Sequence, residues 1–249
     1  MIDAAVWPPS LTQEEADLGF MLFLDDDTED APWMVMGDLQ FWSASGFAHS
    51  LRTYAHVQGL PWFVASMLPI EFAWPGVPRK KVLSPDTFVA FVPEHSRSSY
   101  DAEEEGSVPP FVLEVVSPRS VERDQVEKRR AYRMLGVQEY ALFTPRDEGP
   151  SSLTGYRRDA GGAFAPWLPD SQGRLWSEVL GLYLVVRERL LQAQTLEGRL
   201  LLTPEQEAIA RLRAEAERQR AEEQLHRAEA EIERLRRELE RHSEEGSND

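Results

Sequence analysis

The chain has 249 residues, a formal net charge of −16 and no cysteine. Its length allows one large domain or a domain with an extension, and the missing thiols exclude disulfides and cysteine-held metals. The acidic balance excludes a protein that grips nucleic acid through its overall charge.

The charge is uneven, at −12 over residues 1–108, +1 over 109–202 and −5 over 203–249. Arg119, Arg123, Lys128, Arg129, Arg130 and Arg133 form a local basic cluster. No apolar run is long enough to cross a bilayer, and the N-terminus lacks a basic region followed by an apolar stretch. A soluble cytoplasmic protein without a membrane partner is expected.

Residues 1–32 read as a lead-in segment, with LDDDTED (24–30) as solvated loop. Residues 43–59 read as a helix, since Phe47, Leu51, Tyr54 and Ala55 recur at helical spacing and Gly59 stops it. Residues 61–74 mix aromatic and β-branched side chains as one or two strands, and WPGVPRKK is a turn. DTFVAFV (86–92) is a short strand and 94–110 a polar loop. FVLEVV (111–116) is apolar on both faces, as in the centre of a covered sheet. Ser120 can cap a helix over 121–135 that Gly136 closes, and YALFT (140–144) is the next strand. Residues 153–167 read as a hairpin, and 181–200 as a strand passing into a helix. Strands joined by a crossover helix predict a mixed α/β sheet flanked by helices.

From Thr203 the composition changes. Thr203, Pro204 and Gln206 start a long helix, and neither Gly nor Pro follows before Gly246. Leu225, Ala228, Ile232, Leu235 and Leu239 form the seam of a coiled coil, which predicts a homo-oligomer through this helix. Arg211 and Arg218 weaken the seam's first half, so a solvated helix laced with Glu–Arg pairs is the competing account.

Glu114 interrupts an apolar strand between Val112 and Val116. A buried carboxylate needs a cation, a metal or an exposed strand end. Lys128 shares a helix stripe with Val121, Tyr132 and Leu135, and that stripe must face the sheet. Lys128 can therefore approach Glu114, with Asp124 four residues earlier to orient it, unless it snorkels to solvent. Asp86 opens an apolar strand directly after Pro85. If the two strands are neighbours, Asp86, Glu114 and a backbone carbonyl, that of Val115, make a hard-oxygen site suited to Mg²⁺ or Mn²⁺. Two acids, a lysine and such a metal suit phosphodiester hydrolysis. Taken singly, a structural ion pair for Glu114 and a strand-entry turn for Asp86 are the plainer readings.

The series Pro85-Asp86, LEVVSP at 113–118, Asp124-x-x-x-Lys128, Tyr132 and GVQEY at 136–140 resembles the Uma-type restriction-endonuclease family of the PD-(D/E)XK nuclease superfamily. The resemblance covers roughly residues 30–190 and is strongest over 85–144. It implies a restriction-endonuclease-like domain over 33–200, with the helix at 203–245 as an appendage. It also implies a metal-dependent endonuclease acting on DNA, with Asp86, Glu114 and Lys128 as its catalytic set. The superfamily's lysine normally stands two residues after the second acid, where this chain has Val116, and Lys128 takes its part from the following helix. His49 resembles a histidine of relatives, and His49, Glu71, Asp124 and Tyr132 are accessory candidates. The alternative is a nuclease-fold protein with little catalysis that binds or assembles through its terminal helix. A nuclease for another phosphodiester is a third reading.

Overall fold

The computed structural model describes residues 38–74, 80–117, 123–146 and 148–245. The lead-in, most of the turn at 74–81, Arg119, Ser120, Val121 and Gly246 lie outside the described residues, as do the side chains of Arg123, Asp124 and Leu239.

Helix α1 runs Asp38–Gln58. It begins earlier than the sequence suggests, and Ser43 and Ser50 fold their hydroxyls back onto the carbonyls of Leu39 and Phe47. Its buried stripe is Ala44, Phe47, Ala48, Leu51 and Ala55. Gly59, at φ 65°, supplies the left-handed residue that lets Leu60 N–H reach the Ala55 carbonyl at 2.9 Å.

The strands β1 (Phe63–Ser66), β4 (Thr87–Ala90), β6 (Phe111–Val115), β7 (Glu139–Thr144), β8 (Ser152–Arg158) and β9 (Phe164–Pro166) form one sheet in the order β1-β4-β6-β7-β8-β9. Its pairs are antiparallel except β6 with β7. A parallel pair needs a crossover. Here the crossover contains a π-helical turn, Arg123–Lys128, that continues into α2, Arg129–Leu135. Gly136 at φ 101° closes α2.

Two small sheets complete this part of the chain. One is β3 (Lys81–Leu83), β2 (Ile70–Phe72) and β5 (Tyr100–Asp101), in the order β3-β2-β5. The span 94–110, expected to be loop throughout, thus contributes a two-residue strand parallel to β2. The other is β10 (Leu175–Ser177), β11 (Leu182–Arg187) and β12 (Leu190–Gln194). The helix expected within 181–200 is absent. β11 and β12 form a hairpin turning on Glu188 and Arg189, both at positive φ. Leu182, Leu184, Leu191 and Ala193 alternate into the core. Burial against the main sheet overrides the helix propensity of the RERLLQAQ run.

Apolar residues cover the main sheet on both faces. On one, Phe111, Leu113 and Val115 pack with Phe47 and Leu51 of α1 and with Leu182 and Leu184. On the other, Val112 and Val116 pack with Tyr132 and Leu135 of α2, Tyr140, and Ile70 and Phe72 of β2.

The chain divides into two compact units between Thr203 and Pro204. The second contains α3, a helix of 42 residues from Pro204 to Glu245, about 60 Å long. Pairs such as Arg218–Glu222 and Arg237–Glu233 run along its exposed surface. Among the described residues no helix is long and apolar enough to cross a membrane.

Candidate functional site

Alternation along β6 sends Glu114 to the face that α2 covers. There its carboxylate is 1% exposed and held on both oxygens. The Tyr132 hydroxyl donates to Oε1 at 2.8 Å, and Lys128 Nζ stands 3.0 Å from Oε2. Lys128 and Tyr132 are four residues apart across the start of α2, so both reach down to one point on the sheet. The Lys128 side chain is 12% exposed, placing its amine at the rim of the buried site.

Asp86 immediately precedes β4. The register pairs Thr87 with Leu113, so one step further Asp86 falls opposite Glu114 on the neighbouring strand. Residues directly opposite share a face of the sheet. The Asp86 carboxylate is half-buried and accepts the Val115 N–H on Oδ2 at 2.6 Å. Its main chain is also fastened, because the Asp86 carbonyl accepts Ser66 Oγ at 2.8 Å and Met67 N–H at 3.2 Å. The three central candidates and Tyr132 therefore converge. Val115 meets Asp86 through its amide.

The electrostatics agree with the geometry. Burial first, then the negative charge of Glu114, hold the Tyr132 hydroxyl well above its ordinary value of 10. Asp86 is a further, weaker cause. Tyr132 thus stays a proton donor to Glu114 throughout the neutral range.

Of the other accessory candidates, His49 and Glu71 fall elsewhere. His49 is exposed on α1, whose buried side packs on the opposite face of the sheet. Glu71 lies between Ile70 and Phe72, which point into the core shared with α2, so its side chain is aimed the other way. The side chain of Asp124 is outside the described residues. Ser66, which anchors the Asp86 carbonyl, carries no signal in the sequence.

Among the described residues no three of His, Asp and Glu gather closely enough to enclose a metal ion. Two carboxylates on one face of the sheet beside a lysine instead supply hard oxygen donors of the kind a divalent cation takes, with water and phosphate oxygens filling the remaining positions. Such a donor set has no nitrogen or sulfur that would favour Zn²⁺.

No curated protein matches the chain. Residues 33–235 match the model of the Uma2 family, whose description is "Putative restriction endonuclease". The mixed sheets and long C-terminal helix agree with a restriction-endonuclease-like fold. The match spans most of the chain, and the protein belongs to the Uma2 family.

Proposed function

We propose that the protein is a divalent-metal-dependent endonuclease that hydrolyses phosphodiester bonds of DNA, with residues 33–200 as the nuclease unit. The observation that carries this reading is the convergence on Glu114. Lys128 Nζ lies 3.0 Å from its carboxylate, and the next residue's amide donates to Asp86 at 2.6 Å. Asp86, Glu114 and the Val115 carbonyl would hold Mg²⁺ or Mn²⁺. When bound, such an ion lowers the pKa of water and neutralises charge on a phosphate.

The chain's own groups do the rest. Lys128 brings a cation to the rim of the site, where it orients the attacking water and offsets charge developing on phosphate oxygens. Tyr132 holds the second oxygen of Glu114 and so fixes the plane of that carboxylate. The Val115 amide does the same for Asp86. The test compares cleavage of plasmid and short duplex DNA, with Mg²⁺, Mn²⁺ or chelator, by wild type, Asp86→Ala and Lys128→Ala. Loss of about a hundredfold or more in each variant is expected. Equal metal-dependent cleavage by all three would refute the assignment.

A second reading, assembly through the terminal helix, rests on a separate observation. Leu225, Ile232 and Leu235 are 59%, 51% and 46% exposed on α3. A second copy of the helix would cover this stripe as a coiled coil. Sedimentation should then show association that rises with concentration and disappears when residues 204–249 are removed. A full-length chain that stays monomeric at high concentration would dismiss it.

A further inference from the structure

A cleft separate from the Glu114 site lies beside β8, β9, β10 and β11, with a volume of about 410 Å³. Its walls combine guanidinium groups with aromatic rings, chiefly Arg158, Arg174, Trp167, Trp176 and Tyr183. The rings are mutually braced. Trp176 meets Tyr183 edge-on at 4.8 Å, and Arg174 lies 4.0 Å above the Tyr183 ring. Arg174 is also paired with Asp170 at 2.8 Å.

Arg158 is different. Among the described residues it makes no ion pair. Its Nη1 donates to the Arg133 carbonyl at 2.5 Å, at the C-terminal end of α2. The adjacent Asp159 spends its Oδ1 on the amides of Gly161 and Ala163, both at 2.9 Å. Burial first, then the charge of Arg133, push Arg158 below the usual arginine value. A half-buried guanidinium that makes no ion pair among the described residues is a place where an anion can bind.

The cations also continue. Arg129, next to Lys128, stacks 4.6 Å over the Tyr156 ring on β8. From Lys128 to Arg133 is one and a half helical turns, about 8 Å along the axis. Lys128, Arg129 and Arg133 of this stretch, with Arg158 bonded to the helix end, thus place four cations between the Glu114 site and the cleft, in a chain whose net charge is −16. Guanidinium groups beside half-buried aromatic rings such as Trp176 and Tyr183 are the recognition chemistry of unpaired nucleic acid, in which each base needs a π-face and each phosphate a cation.

We propose that this cleft is an accessory site for an unpaired nucleotide of a nucleic-acid strand, its base against Trp176 and Tyr183 and its phosphate at Arg158. The site deepens the nuclease reading, since it gives the substrate a single-stranded portion leading away from Lys128.

The experiment uses the full chain in chelator, so that binding is read without cleavage. Fluorescence anisotropy measures the affinity for a labelled oligothymidylate, for duplex DNA of the same length and for thymidine monophosphate. The single strand should bind tighter than the duplex and the mononucleotide. Arg158→Gln and Trp176→Leu should each weaken its binding by about tenfold. A strand carrying a photoreactive halogenated thymine analogue should crosslink within 164–183, which tests the site in unaltered protein. Equal affinity for duplex, no gain of the strand over the mononucleotide, unchanged binding in both variants, or crosslinks confined to other segments would each overturn the proposal. Loss of binding in these variants, with no metal-dependent cleavage of any DNA, would keep the cleft and sink the nuclease. Cleavage with strand binding unaffected by them would do the reverse.

Discussion

The Lys128–Glu114 pair is best tested by removing its members singly and together. Lys128→Met deletes the amine while keeping most of the stem's volume. Glu114, 1% exposed, then retains the Tyr132 hydroxyl as a donor but loses the cation 3.0 Å away. Breaking a fully buried pair from one side costs about 3–5 kcal/mol. Lys128 keeps 12% exposure and the tyrosine still donates, so about 2–3 kcal/mol is expected here. Glu114→Gln removes the charge and costs less, since the amide oxygen can still accept from Tyr132. Adding Glu114→Gln to Lys128→Met should restore stability, because the uncompensated charge is gone. The coupling should be about 2 kcal/mol, read from a double-mutant cycle of urea midpoints. Tryptophan fluorescence reports the right unit, as every tryptophan precedes residue 204. The double variant should recover stability without recovering cleavage. Additivity within about 0.5 kcal/mol would refute the pairing.

Other outcomes follow from the packing. A Cβ on Gly155 would stand 2.8 Å from the Tyr140 carbonyl oxygen and 2.9 Å from the Trp167 ring. Gly155→Ala should therefore cost about 1–3 kcal/mol in urea unfolding, and a neutral result would mean that β8 and Trp167 pack more loosely. Alkaline pH should also weaken the fold. Burial pushes the Tyr100 hydroxyl up to about 12, and Tyr132 is raised too. A raised acid lends stability that is complete below its unfolded value of about 10 and is lost as pH climbs through the folded value. Tyr100 alone accounts for about 3 kcal/mol of that loss. Tyr100→Phe should flatten the decline above pH 10, and parallel curves for the two proteins would refute the attribution.

What could be read from the sequence was what depends on local periodicity. The apolar faces of 111–116 place Glu114 in a covered strand, and four-residue spacing puts Lys128 and Tyr132 on one side of a helix. What could not be read depends on pairing over distance. Asp86 lies opposite Glu114 because Thr87 registers with Leu113, and nothing near either residue specifies that register. The Glu188-Arg189 hairpin carries no Asn-Gly signal, and β5 and β10 are too short to declare themselves without partners. The π-helical turn is similarly silent, since residues 123–128 suit an α-helix equally well. His49 entered by resemblance, although it already stands outside the stripe of Ala44, Phe47, Ala48 and Leu51.

Tyr132 was a minor candidate in the sequence and becomes the residue that separates a maintained site from a structural ion pair. A lysine alone would neutralise Glu114. The hydroxyl on the other oxygen adds direction, and it holds the carboxylate plane with respect to Asp86 across the strands. Tyr132→Phe keeps the ring, its packing near Tyr140 and the Lys128 pair, and removes one charge-assisted hydrogen bond. The expected loss of stability is about 1–2 kcal/mol. If Glu114 serves a metal, its orienting partner should matter beyond stability. Partners that orient metal ligands typically account for about 10–100-fold in affinity. Calorimetric titration with Mn²⁺ reads this without any need for cleavage. A variant that loses the expected stability yet binds Mn²⁺ as wild type does would make Tyr132 a packing residue. The Glu114–Lys128 pair would then stand as an ordinary buried ion pair. Weakened Mn²⁺ binding at a small cost in stability would mean that the hydroxyl serves the site.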